Sequence, residues 1–444
     1  MLGPRLVIAG TSSGVGKTTV ATGLMAAFRR RGVQVASAKV GPDFIDPGYH
    51  SAATGRPGRN LDAWMCGPSA MAPLAARAAK GCDLLIVEGV MGLFDGAADG
   101  GAASTADVAR LLGAPVVLVV DARSMSQSIA ALVSGYRSFD PTVHVAGVVL
   151  NQVGSDNHEI MLREALAAID MPLFGVLRRD DSLLWRDRHL GLVPVVEHPQ
   201  RVAASLDKLA TLIGLGCDLD ALDDLARSAP SMVTAPLAEP QHVDTRRIAI
   251  ASGPAFSFCY PDNLEMLAAA GAELIPFDPR RDPLPEGVAG LVAGGGFPEV
   301  FAAELSENVS LLDDLRRRIS NGLVVWAECG GLLWLCRSLD DHKLAGVVEA
   351  EGTMTKRLHL GYRAARTLNQ TPLGPTGTEF RGHEFHYSTV APLGAALQFE
   401  SRFTNRTDGF ATPTLLATYL HIHLATRPDL AESFVHSCGP LKQN

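Results

Sequence analysis

Two stretches of this sequence carry residues whose types and spacing point to chemistry. The first is Gly10-Thr-Ser-Ser-Gly14-Val-Gly16-Lys17-Thr18-Thr19. Polyphosphate is strongly charged, and the backbone N–H groups of a glycine-rich turn and a helix N-terminus can surround it. Lys17 is placed to reach the terminal phosphates and the Thr18 hydroxyl to ligate Mg²⁺, with Gly14, Gly16 and Thr19 completing the loop. The second is Trp326-Ala-Glu-Cys329-Gly330-Gly-Leu. A thiol on a sharp strand-to-helix turn is exposed at a sheet edge, where neighbouring N–H groups face a developing oxyanion. A free thiol is only a few per cent thiolate at neutral pH, so it needs a helix N-terminus or a histidine beside it. His421, in Thr418-Tyr-Leu-His421-Ile-His423, is the candidate, and His423 falls on the same face of the strand by period two. A second glycine turn, Gly294-Gly295-Gly296, follows another strand. Gly295, Gly296 and Gly330 are the expected oxyanion-hole donors.

Carboxylates should complete a Mg²⁺ site, because this ion keeps waters and takes one or two of them. Glu88 ends the apolar run Leu84-Leu-Ile-Val-Glu88, and Asp43 and Asp46 lie in Lys39-Val-Gly-Pro-Asp43-Phe-Ile-Asp46. Asp95 follows in Gly92-Leu-Phe-Asp95-Gly. Loops beyond the carboxyl ends of parallel strands are where such sheets bind ligands. Thr18, Asp43 and Glu88 are assigned to the metal, and Asp46 and Asp95 to the substrate or intermediate. Asn151 ends Val148-Val-Leu-Asn151 and is expected to contact adenine through its amide.

The elements that must position these residues are legible. Leu6–Gly10, Val33–Val40, Asp83–Glu88, Pro115–Asp121, Ala146–Asn151 and Leu173–Leu177 are short, apolar and β-branched, as buried parallel strands are. Thr18–Arg31 and Ser124–Arg137 have helical length and period. This βαβ series predicts an α/β doubly wound parallel sheet over residues 1–227. Residues 228–246 carry three prolines in a short aperiodic span and read as a linker. A second α/β series fills 247–444, with strands at Arg247–Ala251, Glu273–Phe277, Gly290–Ala293, Leu323–Ala327 and finally Leu416–His421.

Composition bounds the function. The chain has 444 residues, 47% hydrophobic and 19% charged, which favours packed domains over disorder. A net charge of −8 argues against nucleic-acid partners, so a polyanionic substrate would need a local basic patch. No apolar run approaches the ~20 residues of a membrane span, and no signal peptide is read at the N-terminus. Seven cysteines without regular spacing do not form a disulfide framework. A cytoplasmic location is expected.

Motif strings along nearly the whole chain resemble the cobyrinic acid or hydrogenobyrinic acid a,c-diamide synthase family. They are 10–19, 39–47, Gly55-Arg56-Pro-Gly-Arg59-Asn60-Leu-Asp-Ala-Trp-Met65, 87–96, Gly294-Gly-Gly-Phe-Pro-Glu299, Ala327-Glu-Cys-Gly-Gly-Leu332, Gly382-His-Glu-Phe-His-Tyr-Ser388 and 418–423, in family order. In the first string Thr11 stands where the strict phosphate-loop pattern wants glycine, a departure similar to the dethiobiotin-synthetase-like branch. The resemblance implies such a nucleotide-binding domain, then a class I glutamine amidotransferase domain with a flavodoxin-like fold. It implies ATP, L-glutamine and a corrin polycarboxylate as small-molecule partners. A homodimer is compatible with it, and neither nucleic acid nor membrane is expected. Arg56 and Arg59 are the candidate partners of the ring carboxylates. Ordinary class I enzymes carry glutamate two residues after the histidine. Here that place is His423, so a Cys329–His421 dyad is expected, with Glu384 a candidate to orient a partner. The nearest alternative is nickel-sirohydrochlorin a,c-diamide synthase. A phosphate-loop ATPase switch, or a tetrapyrrole-binding protein with an inactive amidotransferase domain, stands further off.

Overall fold

Apolar runs too short for helices settle as strands, and the computed structural model divides them between two compact units, Met1–Leu237 and Ala238–Asn444. It describes residues 1–97, 100–180, 187–188, 191–192, 194–242, 244–401 and 404–439. In the first unit seven parallel strands lie in the order Arg59–Leu61, Val35–Val40, Leu84–Glu88, Arg5–Gly10, Val116–Asp121, Val145–Val153 and Leu173–Arg178. Every residue of the strands Arg5–Gly10, Val35–Val40 and Leu84–Glu88 is buried, as expected where helices cover both faces. Their register sets Ile8 and Lys39 on either side of Glu88, so the phosphate loop and the carboxylate leave the same sheet edge. Helix Lys17–Arg30 follows that loop. At Gly23 a Cβ would lie 2.5 Å from Ile213, which lets this helix close on Pro199–Gly216.

The proline-rich stretch is not free along its length. Leu2 and Met232 exchange backbone hydrogen bonds, at 2.9 and 3.1 Å. The buried Arg5 guanidinium donates to the carbonyls of Gly3, Leu112 and Pro230, each at 2.7 Å. Residues 230–232 therefore belong to the first unit.

The second unit is built on five parallel strands, Ala272–Phe277, Arg246–Ala251, Gly290–Ala293, Val324–Glu328 and Leu415–Thr418, with antiparallel Phe410–Thr412 at one edge. A further sheet contains the long antiparallel pair Val348–Thr367 and Glu379–Ala391, and His421–Ile422 pairs with the latter. The expected last strand, Leu416–His421, is thus two strands in different sheets. The Thr418 hydroxyl accepts from the Leu420 N–H at 3.1 Å, a local turn that lets the chain change sheets.

Replacing Arg5 with Met should leave the buried Leu112 contact and the part-buried contacts to Gly3 and Pro230 without their charged donor. We expect a stability loss of about 2–4 kcal/mol, read as a lower urea midpoint at constant slope. An unchanged midpoint would show that these bonds contribute nothing net.

Candidate functional site

The phosphate loop needs glycine for steric reasons at two positions. Gly16 has φ 97°, and a Cβ there would lie 2.2 Å from the Asn151 amide nitrogen; Gly10 has no room beside Val15 and Lys17. Lys17 folds back onto the Ser12 carbonyl at 2.9 Å. Burial, with the Lys39 charge second, lowers its pKa to about 8. A bound polyphosphate would restore the ammonium's favoured state. Thr19 is half-buried in the first turn of the helix.

Glu88 is completely buried. Its Oε1 accepts from the Thr18 hydroxyl at 2.6 Å and the Lys39 ammonium at 2.8 Å, and its Oε2 meets His50 Nε2 at 2.6 Å. Burial resists the charge, but Lys39 and His50 outweigh it and hold the carboxyl well below the usual carboxylate range. Asp46 joins this group, 2.6 Å from Lys39 and 3.4 Å from the Thr18 hydroxyl. Asp43 does not join it in the same way. One of its oxygens accepts the N–H groups of Ile45 and Asp46, at 2.8 and 3.0 Å, and so supports the turn into helix Asp46–Thr54. Asp46, assigned from sequence to the substrate, thus stands closer to Thr18 and Glu88 than that role required.

These donors fit Mg²⁺. Thr18, Glu88 and Asp46 present hard oxygens, and the Lys39 ammonium already supplies a cation among them. Among the described residues no group of three or more His, Cys, Asp or Glu side chains forms a metal cage by itself. A metal that completes its shell with phosphate oxygens and water requires none.

The other predicted residues are placed less uniformly. Asn151 gives its amide to the Val15 carbonyl at 3.0 Å and accepts from Gln152 N–H at 2.9 Å, so it braces the phosphate loop. Asp95 accepts from Gly92 N–H at 2.9 Å, and its charge acts on Lys17. Arg59 sits on the edge strand opposite Ala38. Arg56 is not brought to this edge: its guanidinium donates at 2.8 Å to the carbonyl of Lys80, which precedes the other end of strand Leu84–Glu88.

In the second unit Cys329 links strand Val324–Glu328 to helix Gly330–Leu335 with φ 50° and ψ −101°. A side chain at positive φ is strained and persists where its surroundings impose it. Here the Cys329 N–H donates to Thr418 O at 2.8 Å, and Gly331 lies so close to Ala293 that a Cβ would come within 2.1 Å of its carbonyl. His421 is buried, hydrogen-bonds the Cys329 thiol, and holds Glu328 Oε2 at 3.2 Å through Nδ1. The other Glu328 oxygen accepts from Ile422 N–H at 2.9 Å. Burial works against the imidazolium, but Cys329 and Glu328 prevail and raise His421 to about 10. An imidazolium is the partner a thiolate nucleophile requires.

The arrangement is therefore a triad, Cys329–His421–Glu328, where a dyad was expected. Glu384 is occupied elsewhere, held by Arg363 at 2.7 Å and Arg406 at 2.6 Å. His423 is also separated from the thiol's partner. Strand His421–Ile422 ends before it, and its Nδ1 accepts from Ala425 N–H at 3.3 Å while its ring lies over Tyr260. Asn263 holds the two residues flanking His423, donating to Ile422 O and accepting from Leu424 N–H, both at 2.7 Å. The oxyanion-hole assignment needs one correction. Gly295 N–H is spent on Phe258 O at 3.0 Å. Gly296 and Gly330 remain, and they are neighbours: a Cβ on Gly330 would lie 3.2 Å from Gly296 N.

Together these features define a nucleotide-binding unit on the same chain as a cysteine-dependent glutamine amidotransferase unit. Residues 6–192 match the CobQ/CobB/MinD/ParA nucleotide binding domain, and 247–429 match the CobB/CobQ-like glutamine amidotransferase domain. The chain is 50% identical to hydrogenobyrinate a,c-diamide synthase of Streptomyces coelicolor, over 98% of this chain and 97% of that one. It is 46% identical to the hydrogenobyrinate a,c-diamide synthase of Thermobifida fusca, over 97% and 96% of the two chains. It is 42% identical to the cobyrinate a,c-diamide synthase of Dehalococcoides mccartyi, over 97% of each. The chain belongs to the hydrogenobyrinate/cobyrinate a,c-diamide synthase family. Among the described residues no helix is long and apolar enough to cross a membrane.

Sequence reading passed over Glu328, Lys39 and His50. The available signals were local: Glu328 directly precedes the thiol, Lys39 nears the end of an apolar strand, and His50 follows Asp46 by one helical turn.

Glu328→Gln keeps shape and removes charge. His421 should then lose its imidazolium at lower pH, because one of the two groups that raise it is gone. The alkaline limb of glutamine hydrolysis should move down from near pH 10 towards neutrality, with the rate at its optimum lower by on the order of tenfold. A pH–rate profile from pH 6 upward checks this, and an unmoved alkaline limb would remove Glu328 from the triad.

Proposed function

We propose that this chain amidates the a and c acetate carboxylates of hydrogenobyrinic or cobyrinic acid, with ATP for activation and glutamine as nitrogen source. The observation that carries the reading is the Cys329–His421–Glu328 triad on a chain that also carries the Lys17–Thr18 phosphate loop. Hydrolysing glutamine needs no ATP, whereas making an amide from a carboxylate does. The two relatives at 50% and 46% identity are named for hydrogenobyrinate, which favours the metal-free ring.

A carboxylate is a poor electrophile because its leaving group would be oxide. Transfer of the γ-phosphoryl group of ATP to a ring carboxylate gives an acyl phosphate and ADP, and phosphate then becomes the leaving group. Such transfer needs charge neutralisation more than covalent help, and Lys17 supplies part of it. Thr18, Glu88 and Asp46 would hold a Mg²⁺ ion that supplies more. Asp95, in the loop after strand Leu84–Glu88, and Arg59, on the edge strand of the same sheet, would then face the ring carboxylate.

In the second unit the Cys329 thiolate attacks the glutamine side-chain carbonyl. The N–H groups of Gly296 and Gly330 receive the oxyanion. As the C–N bond breaks, His421 gives its proton to the leaving nitrogen and releases ammonia. Water hydrolyses the thioester to glutamate and frees the thiol. Ammonia attacks the acyl phosphate, giving the amide and inorganic phosphate. Such an enzyme works in the cytoplasm on small molecules, and a homodimer is its simplest assembly.

The deciding experiment offers hydrogenobyrinic and cobyrinic acids in turn with ATP, Mg²⁺ and glutamine, and follows products by mass spectrometry. Two successive carboxylate-to-amide steps with a diamide end point are expected. A chain that hydrolyses glutamine yet amidates neither ring would overturn the proposal.

Single substitutions should separate the half-reactions. Cys329→Ser should abolish glutamine-dependent amidation and leave ammonia-dependent amidation largely intact. Lys17→Ala should lower amidation from either nitrogen source by on the order of 10²–10³, while basal glutaminase survives. Loss of ammonia-dependent activity in a folded Cys329→Ser variant would contradict two separable sites.

A further inference from the structure

Glu88 is held differently at its two oxygens. Oε1 carries the Thr18 hydroxyl and the Lys39 ammonium, whereas Oε2 faces the His50 ring at 2.6 Å. His50 stands on helix Asp46–Thr54 one turn after Asp46, so i,i+4 spacing turns both residues towards the same strand end. The ring is completely buried, and its Nδ1 has no hydrogen-bond partner among the described residues. With Glu88 ionised, Nε2 is the donor, and this bond is the ring's tie to the site.

The groups on Oε1 are exchangeable. A threonine hydroxyl can turn a lone pair outward, and Lys39 has further partners in Asp46 at 2.6 Å and the Gly89 carbonyl at 3.1 Å. His50 has no such alternative, since leaving Oε2 would strand two buried polar groups. Mg²⁺ demands near-ideal octahedral geometry and few protein oxygens, whereas Ca²⁺ accepts more ligands and carboxylates bound through both oxygens.

We propose that His50 is a positioning residue that reserves Oε2 of Glu88, so that Glu88 offers one oxygen to the nucleotide-bound cation and the site favours Mg²⁺ over Ca²⁺. This rests on the proposed assignment of Glu88 to the cation that accompanies ATP.

The test is calorimetric titration of the full chain with Mg²⁺ and with Ca²⁺ in the presence of a non-hydrolysable ATP analogue. The readout is the ratio of the two apparent affinities, which a general loss of packing would not bias. His50→Leu frees Oε2 and should shift the ratio towards Ca²⁺ by roughly tenfold, the lower end of what a ligand's supporting partner contributes. His50→Gln, whose Nε2 can reach the same oxygen, should keep the wild-type ratio. If the leucine variant does not fold, His50→Asn replaces it, because its shorter amide falls short of Oε2. An unchanged ratio in the leucine or asparagine variant, or an equal shift in the glutamine variant, overturns the role of His50. Glu88→Gln distinguishes the deeper failure: if it leaves cation-dependent nucleotide binding untouched, the cation assignment itself falls.

Discussion

A carboxylate placed at the end of a buried parallel strand stays ionised only if partners are brought to it, because an uncompensated charge there costs several kcal/mol. Both units contain such a group. Glu88 ends Leu84–Glu88 and Glu328 ends Val324–Glu328, each on an interior strand of its sheet and each hydrogen-bonded to a histidine. Much of the surrounding architecture can be understood as delivery of those partners. The first sheet brings Lys39 into register beside Glu88, and helix Asp46–Thr54 brings His50. In the second unit the chain leaves one sheet after Thr418 and enters another so that His421 can meet Glu328.

Burial opposes the charge on both cations nearest the chemistry, and their neighbours decide the outcome. Lys17 is lowered to about 8 because burial and the neighbouring Lys39 charge outweigh the pull of Glu88, Asp46 and Asp95. Its charge is poised for an anion that arrives from outside. His421 is raised to about 10 because a thiol and a carboxylate flank it. Its charge is kept for an anion made in place. One unit thus waits for the phosphates of a ligand, while the other generates its own nucleophile.

What the sequence revealed follows from how local each signal is. The central strands were visible because continuous β-branched runs admit few other readings, and the thiol elbow because glycines flank a cysteine just after such a run. Glu328 was not, although it adjoins Cys329, because its partner lies 93 residues away in another sheet. His423 falls on the same face as His421 only if the strand runs on past it. The strand ends at Ile422, and His423 caps a short 3₁₀ turn instead. Gly295 failed as an oxyanion donor for the same reason: its N–H is claimed by Phe258, a contact with no trace in local pattern. The Arg56 guanidinium is tied to the Lys80 carbonyl, a partner distant along the chain, and the Asn151 amide braces the loop at Val15.

The tie between the chain's first residues and the start of its proline-rich stretch bears on how the two units could be obtained apart. Composition suggests a cut near residue 227, where helix periodicity ends. Such a cut would remove Pro230 and Met232, whose backbones complete the hydrogen bonding of Arg5 and Leu2. The first unit extends to Leu237, so a fragment that preserves these bonds must include Pro230 and Met232. Limited proteolysis that spares 230–232 and cleaves beyond them would yield that fragment with its amino-terminal edge still closed.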